Sequence, residues 1–163
     1  MKTLVAYYSL GGNTKKIAEK VARSLRADVI EIKTVKDYPD DYDVLLSLAE
    51  KEVASGYIPA LRPVEIDWDK YDAVLVGSPV WCGTYAPAMR RFLETYKWKG
   101  RVVYPFTTHG GSLGRVIGDY KKGLRGAFVG PMLNVKFEDN EQLTPDLAVK
   151  EWVSVIKDGR IKD

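Results

Sequence analysis

Residues 9–14, with the sequence Ser-Leu-Gly-Gly-Asn-Thr, combine side chains that could bind phosphate. The two glycines let backbone N–H groups converge on one point, and Ser9 and Thr14 add hydroxyl groups. An apolar run precedes the segment and a helical pattern follows it, so the helix N-terminus would favour an anion. The segment lacks the Gly-Lys-Ser/Thr of a Walker loop and the Gly-x-Gly-x-x-Gly of dinucleotide-binding folds. It predicts a phosphate-binding loop, with a plain glycine-rich turn as the alternative.

A second segment, residues 78–85, places a tryptophan between proline and glycine in the sequence Ser-Pro-Val-Trp-Cys-Gly-Thr-Tyr. It follows a predicted buried strand, so we expect it to be a loop at the edge of the sheet. Trp81 would be poorly placed for the core there, whereas a flat aromatic ligand could stack on it. Such stacking contributes about 0.5–1.5 kcal/mol beyond burial. Packing of Trp81 over the end of the core is the alternative.

A third segment, residues 107–112, has the sequence Thr-Thr-His-Gly-Gly-Ser and follows another predicted strand. Its backbone amides could bind the polar edge of a ring, although His109 taken alone would be an ordinary surface histidine. A phosphate-binding loop, an aromatic surface and an amide-rich loop together fit a mononucleotide with a flat tricyclic ring. That ligand is flavin mononucleotide (FMN).

Strands and helices alternate along the chain and would position these segments. Apolar runs predict strands at 4–8, 29–32, 73–76, 102–104 and 127–133, and helical spacing predicts helices at 14–26, 41–55, 87–96, 113–120 and 149–156. We expect Pro105 to mark where the fourth strand stops pairing, because proline donates no ladder hydrogen bond. We expect Ser112 to cap the helix that follows it. This order predicts an α/β fold with a parallel sheet, whose ligands bind beyond the carboxyl ends of the strands.

Composition limits the possible classes of protein. A chain of 163 residues fits one domain, 1–163, and 45 % hydrophobic with 29 % charged residues excludes a disordered, collagen-like or coiled-coil protein. The single Cys82 excludes an internal disulfide, and with the single His109 it excludes multi-cysteine and two-histidine metal sites. We find neither a signal peptide nor a membrane-spanning run, so we expect a cytoplasmic protein.

The three segments resemble the flavodoxin family. Residues 9–14 are similar to its phosphate motif Ser/Thr-x-Thr-Gly-Asn-Thr, with Gly11 where threonine is usual. Residues 72–94 and 100–112 resemble one flavodoxin-like branch, and the likeness covers nearly the whole chain. It implies a flavodoxin-like doubly wound five-stranded parallel sheet, in the order 2-1-3-4-5 with helices on both faces. It also implies one noncovalent FMN.

The resemblance also implies which residues contact the flavin. It gives phosphate contacts to Ser9, Leu10, Gly11, Asn13 and Thr14, and ring contacts to Pro79, Val80, Trp81, Cys82, Gly83, Thr84, Thr108, His109, Gly110 and Gly111. It gives no side chain a catalytic role and implies no metal, because the flavin carries the electron chemistry.

Other protein classes fit the sequence less well. Residues 110–114 match the Gly-x-Ser-x-Gly of serine hydrolases, but the only histidine lies three residues before Ser112 on the same turn. Cys82 and His109 could form a nucleophile–base pair, yet no third group is evident to orient them. A receiver domain needs acidic residues where Tyr8 and Ser9 stand. A flavin-free binding module remains open.

Two kinds of FMN protein remain in competition. One is an electron carrier that docks on redox partner proteins, a reductase or ferredoxin-type donor and an acceptor enzyme. The other is an NAD(P)H-dependent reductase of quinones or flavins. We favour the carrier, because no extra segment for a nicotinamide or for dimer closure is apparent. We expect a monomer or weak dimer that binds neither nucleic acid nor a membrane.

The net charge of +3 conceals two oppositely charged stretches. Residues 28–72 hold 12 acidic and 5 basic residues, whereas residues 86–125 hold 9 basic and 2 acidic ones. We expect the basic helices to flank the flavin edge, with Arg90 and Arg91 selecting an acidic partner or an anionic acceptor.

Overall fold

The computed structural model describes residues 1–159, in which a central sheet carries helices on both faces. Its strands are β1 (Thr3–Tyr8), β2 (Asp28–Ile32), β3 (Ala73–Trp81), β4 (Thr84–Tyr85), β5 (Val102–His109), β6 (Phe128–Val129), β7 (Leu133–Glu138) and β8 (Glu141–Gln142). Its helices are α1 (Asn13–Leu25), α2 (Tyr42–Ser55), α3 (Pro87–Thr95), α4 (Val116–Gly123) and α5 (Asp146–Asp158). A single 3₁₀ turn, Trp68–Lys70, lies in the connection before β3.

The parallel strands run in the order β2-β1-β3-β5-β7. Because β5 and β7 are the fourth and fifth long strands of the chain, this is the predicted 2-1-3-4-5 order, and the α/β fold class is confirmed. Tyr7 pairs with Gly77 and Pro79 with Thr108, so β1, β3 and β5 end at the same edge. The short strands β4 and β8 add antiparallel hairpins to β3 and β7.

The sheet separates two hydrophobic layers. Leu4, Ala6 and Tyr8 of β1 pack in the layer that contains Phe92 of α3, whereas Val5 and Tyr7 pack in the layer of α1 and α5. All six residues of β1 are buried. Burial on both faces explains the continuous apolar run, because a half-exposed strand would alternate apolar and polar residues.

Pro105 does not mark the end of the fourth long strand, so that prediction is wrong. β5 continues to His109, and Pro105 pairs in register with Val76 of β3. On the other side of β5, the carbonyls of Arg101 and Val103 accept hydrogen bonds from Phe128 and Gly130. Because strand residues alternate sides, the proline nitrogen faces the gap between β6 and β7. Its missing N–H therefore removes no hydrogen bond from the β3–β5 ladder.

Two other predicted boundaries also differ from the structure. The strand expected at 127–133 is split into β6 and β7 around Gly130, and β7 extends to Glu138. Gly130 has tight surroundings, since an added Cβ would lie 2.3 Å from the ring of Tyr104. Ser112 is not a helix cap, because α4 begins only at Val116, after Arg115, with no side-chain cap.

Helix α2 confirms the prediction at 41–55 and begins with a side-chain cap. Val44 N donates to Asp41 Oδ1 at 3.0 Å.

Within residues 1–159, no helix has both the length and the hydropathy to cross a bilayer.

Candidate functional site

The fold brings the three unusual segments together at the carboxyl edge of the sheet. The hydroxyls of Thr14 and Thr108 lie 2.7 Å apart, which joins the start of α1 to the end of β5. The rings of Tyr8 and Trp81 have centroids 5.8 Å apart, which joins the ends of β1 and β3. The predicted meeting of the three segments at one edge is therefore observed.

The loop between β1 and α1 has the shape and charge of an anion site. Gly11 and Gly12 have φ angles of +83° and +96°, and no atom lies within 4 Å of a Cβ added at either. Lys15 N donates to Ser9 Oγ at 3.1 Å, so a first-turn amide already binds an oxygen here. The first turn of α1 contains no acidic residue. The open loop, the helix N-terminus and two adjacent lysines, Lys15 and Lys16, fit a phosphate group.

Asn13 and Thr14 use their side chains elsewhere in the structure. Asn13 Nδ2 donates to the carbonyl of Asp139 at 2.8 Å, which ties the loop to the β7–β8 turn. The Thr14 hydroxyl is buried against Thr108. Both residues can therefore meet an anion through backbone N–H groups, because the first-turn amides of a helix have no intrahelical partners. Leu10 is partly exposed beside them.

The tryptophan segment is mostly strand, so our expectation of a loop at 78–85 is wrong. β3 extends through Pro79 and Val80 to Trp81 and pairs with β4. Only Cys82 and Gly83 form the connection, with φ angles of +51° and +79°. This is the pattern of a type I′ hairpin turn, in which both central residues have positive φ.

Trp81 packs against two tyrosines and remains partly exposed. Tyr38 stands perpendicular to the indole at 5.2 Å between centroids, and Tyr8 lies at 81° to it. Trp81 thus covers the end of the core, which was the alternative to stacking on a ligand. Because Trp81 is only half-buried, it can cover the end of the core and still offer an exposed ring surface to a ligand.

Cys82 is exposed in the turn and is a poor candidate nucleophile. Partial burial of the thiol raises the pKa of Cys82, and the charge of Glu50 raises it further. Because the thiolate is the reactive form, this environment disfavours the cysteine–histidine pair considered above.

Hydrogen bonds to α4 hold the hairpin. Thr84 Oγ1 donates to Asp119 Oδ2 at 2.6 Å, and Arg115 N donates to the carbonyl of Gly83 at 2.7 Å. A Cβ added at Gly114 would lie 2.3 Å from Gly83 Cα. The turn at 82–83 and the loop at 110–115 are therefore in backbone contact, and only glycine allows it.

In the third segment, Thr107, Thr108 and His109 belong to β5, and Gly110 and Gly111 begin an exposed loop. His109 Nδ1 accepts the N–H of Gly111 at 3.0 Å, so the neutral ring carries its proton on Nε2. Burial lowers the pKa of His109, and Lys136 lowers it further. Lys136 pairs with His109 across β5 and β7.

Sequence reasoning missed four residues around this edge: Tyr38, Glu52, Lys136 and Asp139. Tyr38 lies before the helix predicted at 41–55, and Glu52 lies within it. Lys136 and Asp139 lie beyond the strand predicted at 127–133. Knowledge of the β7 register would have placed Lys136 beside His109, but no signal marked Tyr38 or Glu52.

Similar proteins have the same fold and, in one case, a bound flavin. A flavoprotein from Lactobacillus acidophilus, solved in complex with FMN, is 28 % identical with a TM-score of 0.73, over 82 % of this chain and 92 % of that one. A flavoprotein from Bacteroides eggerthii is 27 % identical with a TM-score of 0.79, over 96 % and 98 % of the two chains.

Curated relatives carry a different kind of name. A protein of Rhizobium rhizogenes named NAD(P)H dehydrogenase (quinone) is 31 % identical over 128 residues, which are 72 % of this chain and 63 % of that protein. A relative of the same name from Geotalea uraniireducens is 31 % identical, and the match covers 47 % of its length. The chain therefore spans less than two-thirds of these relatives. A family model described as Flavodoxin matches residues 2–156, and this chain belongs to the flavodoxin family.

Proposed function

We propose that this chain binds one FMN at the carboxyl edge of its sheet and transfers electrons between redox partner proteins. The observation that carries the proposal is the meeting of an open glycine loop, at the N-terminus of α1, with the Trp81 hairpin and the 110–115 loop. The Lactobacillus acidophilus flavoprotein solved with FMN supports this choice of ligand.

The residues present fit the two ends of FMN. Backbone amides of 9–14 would bind the phosphate, since the loop is open and free of acidic side chains. Residues 79–84 and 108–111 would hold the ring, with Trp81 as the aromatic surface. FMN, when bound, supplies the electron chemistry, and the chain positions the ring and limits its contact with water.

A second candidate function is NAD(P)H-dependent reduction of a quinone. The names of the curated relatives favour it. The carrier remains our first choice, because the family model that matches residues 2–156 is described as Flavodoxin.

The two functions predict different kinetics for the FMN-loaded protein. When the FMN-loaded protein is mixed with NADH or NADPH and a soluble quinone, we expect the nicotinamide to be oxidised no faster than it is by the same concentration of free FMN. With a flavodoxin reductase added, we expect rapid reduction of the bound flavin. Sustained quinone-dependent NAD(P)H oxidation without the reductase would contradict the carrier and favour the reductase.

A further inference from the structure

Glu52 of α2 is a buried acidic residue that forms no ion pair within residues 1–159. At 9 % exposure it is the one charged side chain of that range that is buried. Its hydrogen-bond partner is the hydroxyl of Tyr38, which donates to Glu52 Oε2 at 2.7 Å. Burying a carboxylate without a cation is costly, so a neutral residue of the same size would suit the fold better.

Tyr38 connects this carboxylate to the proposed flavin site. Its ring lies perpendicular to Trp81 with centroids 5.2 Å apart, and Tyr8 stands at 81° to the same indole. Burial raises the pKa of Tyr8, and the charge of Glu52 raises it further. Burial also raises the pKa of Tyr38, and its hydrogen bond to Glu52 raises it further. The carboxylate of Glu52 therefore acts on both tyrosines. Glu52, Tyr38 and Trp81 thus form a continuous chain of contacts.

We propose that Glu52, acting through Tyr38, positions the Trp81 ring and that its charge lowers the reduction potential of the flavin beside that ring. The hydrogen bond fixes the tilt of Tyr38, and the perpendicular contact passes that tilt to the indole. Reduction adds negative charge to a flavin, which a nearby buried carboxylate opposes through a medium of low dielectric. The charge effect rests on the proposed function, whereas the positioning of Trp81 does not.

Two conservative variants separate the hydrogen bond from the charge. Tyr38→Phe keeps the ring and removes the hydrogen bond. Glu52→Gln keeps an acceptor for Tyr38 and removes the charge. Tyr42→Phe and Glu151→Gln are matched controls, because Tyr42 is exposed on α2 and Glu151 is exposed on α5.

Positioning is measured first in the FMN-free protein by near-ultraviolet circular dichroism. The Trp81 contribution is the difference between each protein and its Trp81→Phe counterpart. We expect Tyr38→Phe to lose at least half of this signal, and Glu52→Gln and Tyr42→Phe to keep it. An unchanged signal in Tyr38→Phe, with the fold intact by far-ultraviolet circular dichroism, overturns the positioning role.

The charge effect is measured as the midpoint potential of bound FMN. We expect Glu52→Gln to favour the reduced flavin about tenfold, which is about 30 mV for a two-electron couple, with FMN affinity within about threefold of the parent. Glu151→Gln should shift the potential much less. Equal shifts in the two variants, or none in Glu52→Gln, overturn the charge effect. A parent protein that binds no FMN overturns the proposed function and the charge effect, while the FMN-free spectra still decide the positioning role.

Discussion

Burial lowers the pKa of His109, and the ammonium group of Lys136 lowers it further. Because His109 is the only histidine, its imidazole protons give a single set of resonances for a pH titration by NMR. We expect a pKa below the usual 6.5, and a higher value in Lys136→Met because a like charge is removed. Lys150→Met, an exposed lysine on α5, is the control. A pKa unmoved by Lys136→Met would contradict the assigned cause.

The same shift predicts how stability depends on pH. The folded pKa lies below the unfolded value, so the unfolded chain binds more protons between the two values. The stability contributed by neutral His109 is full above about pH 6.5 and falls as the pH drops toward the folded pKa. Urea denaturation between pH 7.5 and 5.0 should therefore show a shallower loss of stability in His109→Asn than in the parent. Equal slopes would exclude His109 as a source of the dependence.

The hydroxyl pair between Thr14 and Thr108 joins α1 to β5 in a buried position. Thr14→Val keeps the shape and leaves the Thr108 hydroxyl without its partner. We expect a loss of about 1–3 kcal/mol in the free energy of unfolding, measured by urea denaturation. Thr95→Val is the control, because that hydroxyl is exposed and bonds to its own helix. The prediction fails if the two variants lose equal stability.

At the scale of the elements, the contact of Gly83 with Gly114 holds the hairpin turn against the loop before α4. Gly114→Ala would place a methyl group 2.3 Å from Gly83 Cα, at a residue whose φ is +52°. The loop must move away from the turn, so we expect at least a tenfold loss of FMN affinity. Gly118→Ala in α4 is the matched control, since an added Cβ there meets nothing within 4 Å. Isothermal titration with FMN measures both, and equal affinities would show that the contact does not shape the site.

The sequence allowed the main elements to be predicted where one physical signal dominated. Two-sided burial produces the apolar runs of β1 and β3, and Pro87 starts α3 as expected for a first-turn proline. The prediction of Pro105 as a strand end failed because its effect depends on which neighbour its nitrogen faces. The hairpin at Cys82 was missed because Cys-Gly is not a usual signal for a type I′ turn. Residues 9–14 form the expected loop before α1, because glycines next to a helix N-terminus are a strong local signal, and their phosphate role stays a prediction.

At the scale of the whole molecule, the basic residues of 86–125 do not act as one surface. Arg91 is half-buried, and its guanidinium donates to the carbonyls of Ile58 and Pro59. Lys97 and Lys99 lie near the amino end of β5, where Gly100 N bonds to the carbonyl of Gly126. Arg90 lies near the start of α3, close to the carboxyl edge, and is exposed. Of Arg90 and Arg91, only Arg90 therefore remains a candidate for docking.

Because Arg90 and Lys99 lie at opposite edges of the sheet, they allow a test of whether charge near the proposed site steers an electron acceptor. In the reduced FMN-loaded protein, oxidation by the anionic acceptor ferricyanide should be slower in Arg90→Glu than in the parent. The difference should shrink as salt rises, because exposed charges are screened over about 8 Å at 0.15 M. Lys99→Glu makes the same charge change at the far edge and should leave the rate nearly unchanged. Equal effects of the two variants in stopped-flow measurements would show that only net charge matters.

The central claim is that the glycine loop binds the phosphate of an FMN whose ring lies against the Trp81 hairpin. The most direct test is titration of the FMN-free protein with FMN and with riboflavin, which has the same ring without the phosphate. We predict one FMN bound per chain, with loss of flavin fluorescence, and riboflavin bound at least tenfold more weakly. Absence of FMN binding would contradict the claim, and equal affinity for the two ligands would contradict the phosphate role of residues 9–14.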